Sequence, residues 1–315
     1  MANGSVTLDD YRAVAPRGTV DVLLRIGERL RGRRVVNVSG SRYSGAFVEV
    51  LNRLVPTLNQ LGIEAGWEII VGDAEFDAVA QAVAMALAGT EQVVTDRMLE
   101  RLQATCAGNA ARLPLEADLV IVHEAAPVLL VDCRPAGGGW VWRSHGDLSA
   151  PQAQVWSFLR RFLPRYEGVV VSLAGFAPSL PVPRYLISPS IDPLSERNRD
   201  MSRVEQAQRL ARLRVPRDKP LLLQVGPFSR AHDPLGVVNA YRLVKKHHDV
   251  RLVLAGPTPE PPATVFDEVA AAAGDDGDVI RVALPPEPEA DLNALERAAT
   301  IVIQKPLRTD FGLDV

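Results

Sequence analysis

The feature that most constrains this chain is the steady exchange of short β-branched runs with longer amphipathic stretches. The first run, Arg34–Val38 (RVVNV), leads into a Ser/Gly loop. A helical pattern over residues 46–61 follows, with apolar residues at 47, 50, 51, 54, 55 and 58. Further runs occur at 67–71, 119–122, 139–143, 169–172 and 185–187, with helical stretches between most of them. Alternation of this kind predicts an α/β architecture, a parallel sheet covered on both faces. The stretches 76–87 and 95–106 are expected to be helices lying over that sheet.

A break follows at Ser188–Asn198 (SPSIDPLSERN), where two prolines and several turn formers precede a charged helix expected over 203–213. A second series then begins, with strands expected at 220–225, 251–255, 279–283 and 301–304. Helices are expected between them at 235–247, 264–273 and 291–298. At roughly 150 residues per domain, 315 residues suit two doubly wound, Rossmann-like domains. We expect the first over residues 1–187, a linker over 188–201 and the second over 202–315. The pattern calls for another helix after the fourth strand, so the second domain is expected to be incomplete at its C-terminus.

Composition narrows the function classes. Apolar residues at 47% and charged ones at 23% exclude disordered and fibrous chains. No run approaches the roughly 18 apolar residues of a membrane span, and MANGSVTLDDYR lacks a signal-peptide pattern, so no membrane association and a cytoplasmic location are expected. Lys plus Arg number 35 against 38 Asp plus Glu, a balance with no global field to gather nucleic acid. The two cysteines form no CxxC pair, which argues against a disulfide framework or structural zinc.

Generic motifs mostly fail on inspection. Gly40-Ser-Arg-Tyr-Ser-Gly45 has P-loop spacing, but Ala46 and Phe47 replace the Lys-Ser/Thr pair, which rejects a nucleotide-hydrolysing P-loop. A glycine loop approaching a ligand and a plain strand-to-helix turn both stay open. His123-Glu-Ala-Ala-Pro127 begins like a zincin helix, but Pro127 stands where the second His is required. Asp310-Phe-Gly312 lacks every other kinase signature, and no GxSxG elbow is present.

Trp140-Val-Trp-Arg-Ser-His-Gly-Asp147 is harder to dismiss, because it runs from a strand into a cluster of Arg143, His145 and Asp147. Such a cluster contacts ligand, or else His145 and Asp147 cap a helix starting near Ser149. Asp192, before Pro193, reads equally as a turn former.

These two segments, WRSHGDLS at 142–149 and SPSIDPLSERN at 188–198, with VNVSG at 36–40 and LRRF at 159–162, resemble the glycosyltransferring trehalose synthase family. The resemblance implies a GT-B fold and retaining transfer of glucose from a nucleotide diphosphate glucose to glucose, in the cleft between two Rossmann-like domains. It implies sugar and nucleotide-sugar partners, with the nucleotide diphosphate glucose as substrate, no separate cofactor and no metal. His145 matches the histidine near the donor hexose, and Asp147 lies in the same motif. Ser44 and Gly45 fall on a glycine run that approaches the diphosphate and acceptor, and Arg143 and Asp192 are carried as further substrate-binding positions. Homo-oligomerisation is left open.

The chain also departs from that pattern. The family's Asp and Gln after His123 are Glu124 and Ala126 here, so acceptor contacts are altered. The loop after the second domain's first strand has Pro227 and His232 where the family carries Arg and Lys. Arg230 is either a substitute reaching inward or a solvated surface residue. The family's Glu-Gly-Phe-Gly-Leu becomes Thr309-Asp-Phe-Gly312-Leu, with Thr309 at the glutamate position. These losses keep a second reading in view, a non-catalytic sugar- or nucleotide-binding or interaction protein derived from the family.

Overall fold

The β-branched runs pair side by side in parallel register throughout. The computed structural model describes residues 6–40, 47–177, 179–258, 264–286 and 288–307. The chain divides between Ile191 and Asp192 into two compact units. No helix among the described residues is long and apolar enough to cross a membrane.

In the first unit, strands β1 (Arg34–Ser39), β2 (Glu64–Ile69), β3 (Leu119–His123), β4 (Gly139–Arg143), β5 (Gly168–Val171) and β6 (Arg184–Leu186) form one sheet. Their order is β2-β1-β3-β4-β5-β6. Helices α1 (Thr19–Leu30), α2 (Phe47–Gln60), α3 (Ala74–Leu87), α4 (Asp96–Ala110) and α5 (Ala153–Arg160) accompany it. Alternate side chains separate the two faces of the sheet. Val36, Val38, Val120, Val122, Trp140 and Trp142 join the main core with Phe76, Val83, Leu102 and Leu159 from α3, α4 and α5. The opposite face carries Val35 against Leu58, Leu61 and Val20 nearer its amino end, and polar residues nearer its carboxyl end.

Two boundaries move for identifiable reasons. The second strand is Glu64–Ile69 rather than 67–71, because the ladder with β1 starts at Arg34 opposite Glu64. Val71 leaves the ladder: its N–H and C=O bond the side chain of Asn109, both at 2.9 Å. The helix expected near Ser149 starts at Ala153, after Pro151, with Gln152 at its N-cap.

The second unit holds α6 (Arg203–Arg212), β7 (Leu221–Val225), α7 (Pro234–Lys245), β8 (Arg251–Pro257), α8 (Thr264–Ala273), β9 (Val279–Leu284), α9 (Glu289–Ala298) and β10 (Ile301–Val302). Its strand order is β10-β7-β8-β9, all parallel. The fourth strand thus pairs beside the first, with Ile301 opposite Leu222. It is shorter than the expected 301–304, although the Ile303 N–H still reaches the Leu223 carbonyl at 2.6 Å. The residues just before α6 are fastened to α9: Asn293 donates to the carbonyls of Glu196 and Arg199, and Arg197 pairs with Glu296. Asp291, buried at the start of α9, pairs with Arg209 and Arg212 of α6.

The amino ends of β7, β8 and β9 are tied by charge. Lys219, Lys245 and Arg251 converge on the Asp278 carboxylate at 2.7, 2.5 and 3.0 Å. Hydrogen bonds from Lys219 and Lys245 hold its pKa down to about 2, below the ordinary 3.8. A carboxylate with a depressed folded-state pKa stabilises the fold above its unfolded pKa and ceases to do so as pH falls through the folded one. Asp278→Asn should therefore cost about 1 to 2 kcal/mol at pH 7. The difference from the parent chain should shrink between pH 3.8 and about 2, where the parent's own carboxylate protonates. Urea unfolding at several pH values measures both.

Candidate functional site

In open parallel sheets, ligands gather outside the carboxyl ends of the strands where the strand order reverses, because helices there leave toward opposite faces and open a crevice. In the first sheet this switch lies between β1 and β3, with β4 next to it. The residues at those strand ends are Asn37, Ser39 and Gly40 from β1, His123 and Glu124 from β3, and Arg143 and His145 from β4.

They form a connected polar chain. Asn37, fully buried in the middle of an apolar strand, donates from Nδ2 to the Gly66 carbonyl at 3.1 Å, and its Oδ1 lies 3.0 Å from His123 Nε2. His123 Nδ1 lies 2.9 Å from His145 Nε2. Phe47 stacks on His145 with ring centroids 4.9 Å apart, while the two histidine rings meet edge to edge and nearly coplanar, their centroids 5.2 Å apart. Burial, with the charge of Arg143, lowers the His123 pKa to about 3. Burial first, then His123 and Arg143, lowers that of His145 to about 2. Both imidazoles are neutral at pH 7.

Glu124 adopts a left-handed backbone conformation, with φ at 64°, which turns the chain sharply out of β3. The indole N–H of Trp142 holds this turn by donating to the Glu124 carbonyl at 2.6 Å. The carboxylate accepts from the Gly40 N–H at 2.9 Å, so it bridges the ends of β3 and β1. Burial raises its pKa to about 7, an effect that the Gly40 N–H only partly offsets.

Other expected site residues have different surroundings. Arg143 is buried and donates to the Ile187 carbonyl at 2.6 Å and to Ser172 Oγ at 3.3 Å, tying β4 to the chain around β5 and β6. Asp147 accepts from the Ser149 N–H at 2.8 Å in a tight local turn. With α5 starting at Ala153, neither Asp147 nor His145 caps a helix at Ser149, so that alternative falls. Asp192 accepts from the Leu194 N–H at 3.0 Å, the turn former's role. Ser44 and Gly45, like Thr309 and Gly312, lie outside the described residues.

In the second sheet the corresponding switch lies between β7 and β10. Pro227 opens the loop after β7, and its carbonyl accepts from the Ser229 N–H at 2.8 Å. His232 Nδ1 lies 2.9 Å from Ser229 Oγ, and the His232 carbonyl accepts from Gln224 Nε2 at 2.7 Å. Gly226 is needed where it stands: its φ is 150°, and a Cβ there would come within 2.9 Å of the His232 ring. Arg230 bonds Glu268 of α8 at 2.6 Å with its side chain 70% exposed, so it does not reach inward. Lys305, just after β10, pairs with Asp233, the N-cap of α7. This lysine enters the β7 loop region from the neighbouring strand.

Sequence reasoning missed Asn37, Phe47 and Lys305. Asn37 left a trace, a lone amide inside RVVNV. Phe47 read as an ordinary apolar helix position, and the Lys305 pairing joins residues 72 positions apart.

The Glu124 environment has a measurable consequence. A carboxyl whose folded-state pKa is raised stabilises the fold fully below its unfolded pKa, and that contribution is lost as pH rises toward the folded value. Between the ordinary 4.5 and about 7, Glu124 should therefore lower stability progressively. Glu124→Gln should remove that slope, raising Tm at pH 8 while leaving it nearly unchanged at pH 4.5. Calorimetry across this range checks it.

Comparison with known proteins agrees with this architecture. A family profile described as the trehalose synthase N-terminal domain matches residues 37–178. The trehalose synthase of Pyrococcus horikoshii is 33% identical over 324 residues, covering 100% of this chain and 78% of that protein. That of Rubrobacter xylanophilus is 33% identical over 328 residues, covering 99% and 78%. Among solved structures, the UDP-forming α,α-trehalose-phosphate synthase of Burkholderia vietnamiensis superposes with a TM-score of 0.62 at 13% identity, covering 89% of this chain and 79% of that one. Anabaena HepE in complex with UDP-glucose superposes with a TM-score of 0.59 at 14% identity, covering 88% and 75%. The fold is that of the GT-B glycosyltransferases, and the chain belongs to the trehalose synthase family.

Proposed function

We propose that this chain is a retaining glycosyltransferase that moves glucose from a nucleotide diphosphate glucose to free glucose. The observation that carries the reading is the neutral, hydrogen-bonded His123–His145 pair at the switch point of the first sheet, with His145 inside the WRSHGD motif. A neutral imidazole on a rigid strand end suits a hydroxyl-rich, uncharged ligand, and a sugar is such a ligand. In this reading His145 contacts the donor hexose, Asp147 lies beside the sugars and Glu124 faces the acceptor. The trehalose synthase relatives support the transfer, and HepE in complex with UDP-glucose supports a nucleotide-sugar ligand.

Retaining transfer develops positive charge at the anomeric carbon and negative charge on the departing phosphate. Preorganised cations aimed at that phosphate contribute on the order of 3 kcal/mol each. In the second unit, His232 is engaged with Ser229, Arg230 with Glu268 and Lys305 with Asp233. Lys305 meets the start of α7 through its pairing with that helix's N-cap. The same engagements favour the second reading, a family member that binds sugar or nucleotide without turning it over.

Two experiments separate these readings. His145→Ala should lower kcat for glucose transfer about a hundredfold or more with thermal unfolding unchanged. Unaltered turnover in a folded variant would remove His145 from the donor site. In the second unit, the double variant Pro227→Arg, His232→Lys should bind UDP more tightly than the parent by about 1 to 3 kcal/mol for each charge-assisted contact formed. Titration calorimetry reads this directly. Tight parental binding with no gain on substitution would show that other groups already fill the role.

A further inference from the structure

The hydrogen-bond chain at the switch point fixes more than position. Asn37 Nδ2 is committed to the Gly66 carbonyl, which accepts and never donates. Its Oδ1 therefore faces His123, and an amide oxygen carries no proton, so His123 Nε2 must be the N–H. A neutral ring protonated at Nε2 has a lone pair at Nδ1. That lone pair lies 2.9 Å from His145 Nε2, so His145 must supply the proton there. His145 is left with a lone pair on Nδ1, for which no hydrogen-bond partner is present among the described residues.

We propose that Asn37 and His123 are positioning residues that hold His145 as its Nε2–H tautomer, so that Nδ1 accepts a hydrogen bond from a sugar hydroxyl. The inference deepens the sugar-transfer reading and rests on it for the identity of the ligand. Three features make the assignment rigid. Asn37 and His123 sit on adjacent paired strands, with Asn37 opposite Ile121 and His123 two residues further along β3. Both side chains are buried, at 0% and 4% exposure, so water does not compete for their bonds. Phe47 stacks on the His145 ring and, with the bond to His123, restricts its rotation about χ2.

The chemical result is a group that accepts and does not donate. It pairs with an O–H and offers nothing to a carboxylate, a phosphate oxygen or a carbonyl. A donating tautomer or an imidazolium would invert that preference. The selectivity for a neutral hydroxyl is thus set two residues away, at an asparagine inside the sheet.

Two-bond 1H–15N correlation spectra of histidine-labelled chain at pH 7 test this directly. His123 and His145 should both show the neutral Nε2–H pattern. In Asn37→Leu and in His123→Phe, which keep the packing and remove one link each, His145 should lose the single tautomer and populate Nδ1–H. Addition of UDP-glucose, or of glucose, to the parent chain should move the His145 Nδ1 resonance in the direction of hydrogen-bond acceptance. A parent His145 protonated at Nδ1, or doubly protonated, overturns the proposal whatever the sugars do, and needs no variant to fold. A tautomer unchanged in both folded variants overturns the role of Asn37 and His123. The expected tautomer with an Nδ1 resonance that responds to neither sugar overturns the sugar-binding reading of this face, and with it the acceptor role.

Discussion

The reversal of strand order between β1 and β3 governs the rest of the first unit. In a parallel sheet each strand hands the chain to a connection that must pack on one face. Where neighbouring strands send their connections to opposite sides, the sheet's edge is left open above them. Only there can polar side chains sit on a buried sheet without being smothered by a helix. Asn37, Ser39, His123 and Arg143 are all buried and polar, and all lie at or near the carboxyl ends of β1, β3 and β4. Their burial is tolerable because each is bonded: Asn37 to Gly66 and His123, Ser39 to Trp67, Arg143 to Ile187 and Ser172.

Much of this architecture was legible in the residues, for a physical reason. Runs such as Gly139–Arg143 and Thr264–Ala273 carry period and propensity together, and both elements form with the expected limits. The second strand was placed late because Glu64-Ala-Gly has no β-branched residue, and only pairing with β1 makes it a strand. At the site, WRSHGD announced itself through the clustering of Arg143, His145 and Asp147. The parts drawn from elsewhere did not: Asn37 acts through a partner 86 residues away and Lys305 through one 72 residues away. Such pairings are decided by strand order, which local pattern does not encode.

The two switch points differ in how charge is handled. At the first, the histidines are neutral and the charged Arg143 is committed to the sheet behind them. At the second, the cations Arg230 and Lys305, among the described residues, are matched with carboxylates, Glu268 and Asp233 respectively. A cation already paired attracts an anion less than a bare one, and an anion binding there competes with the resident carboxylate. Exposed pairs of this kind are worth little to stability.

The left-handed turn at Glu124 bears on how this position can change over time. Backbone at φ 64° is comfortable for glycine and tolerable for asparagine and aspartate, and it disfavours longer or branched side chains. A side-chain oxygen at this position also accepts from the Gly40 N–H. The backbone alone favours aspartate, the residue that the resemblance implies at this place, while the glutamate present spans the distance to Gly40. A Cβ at Gly40 would lie 3.4 Å from the Glu124 carboxylate, an ordinary contact distance, so this acid leaves room for a methyl group beside it. The tie between positions 40 and 124 runs through a backbone N–H, a donor that every residue but proline keeps.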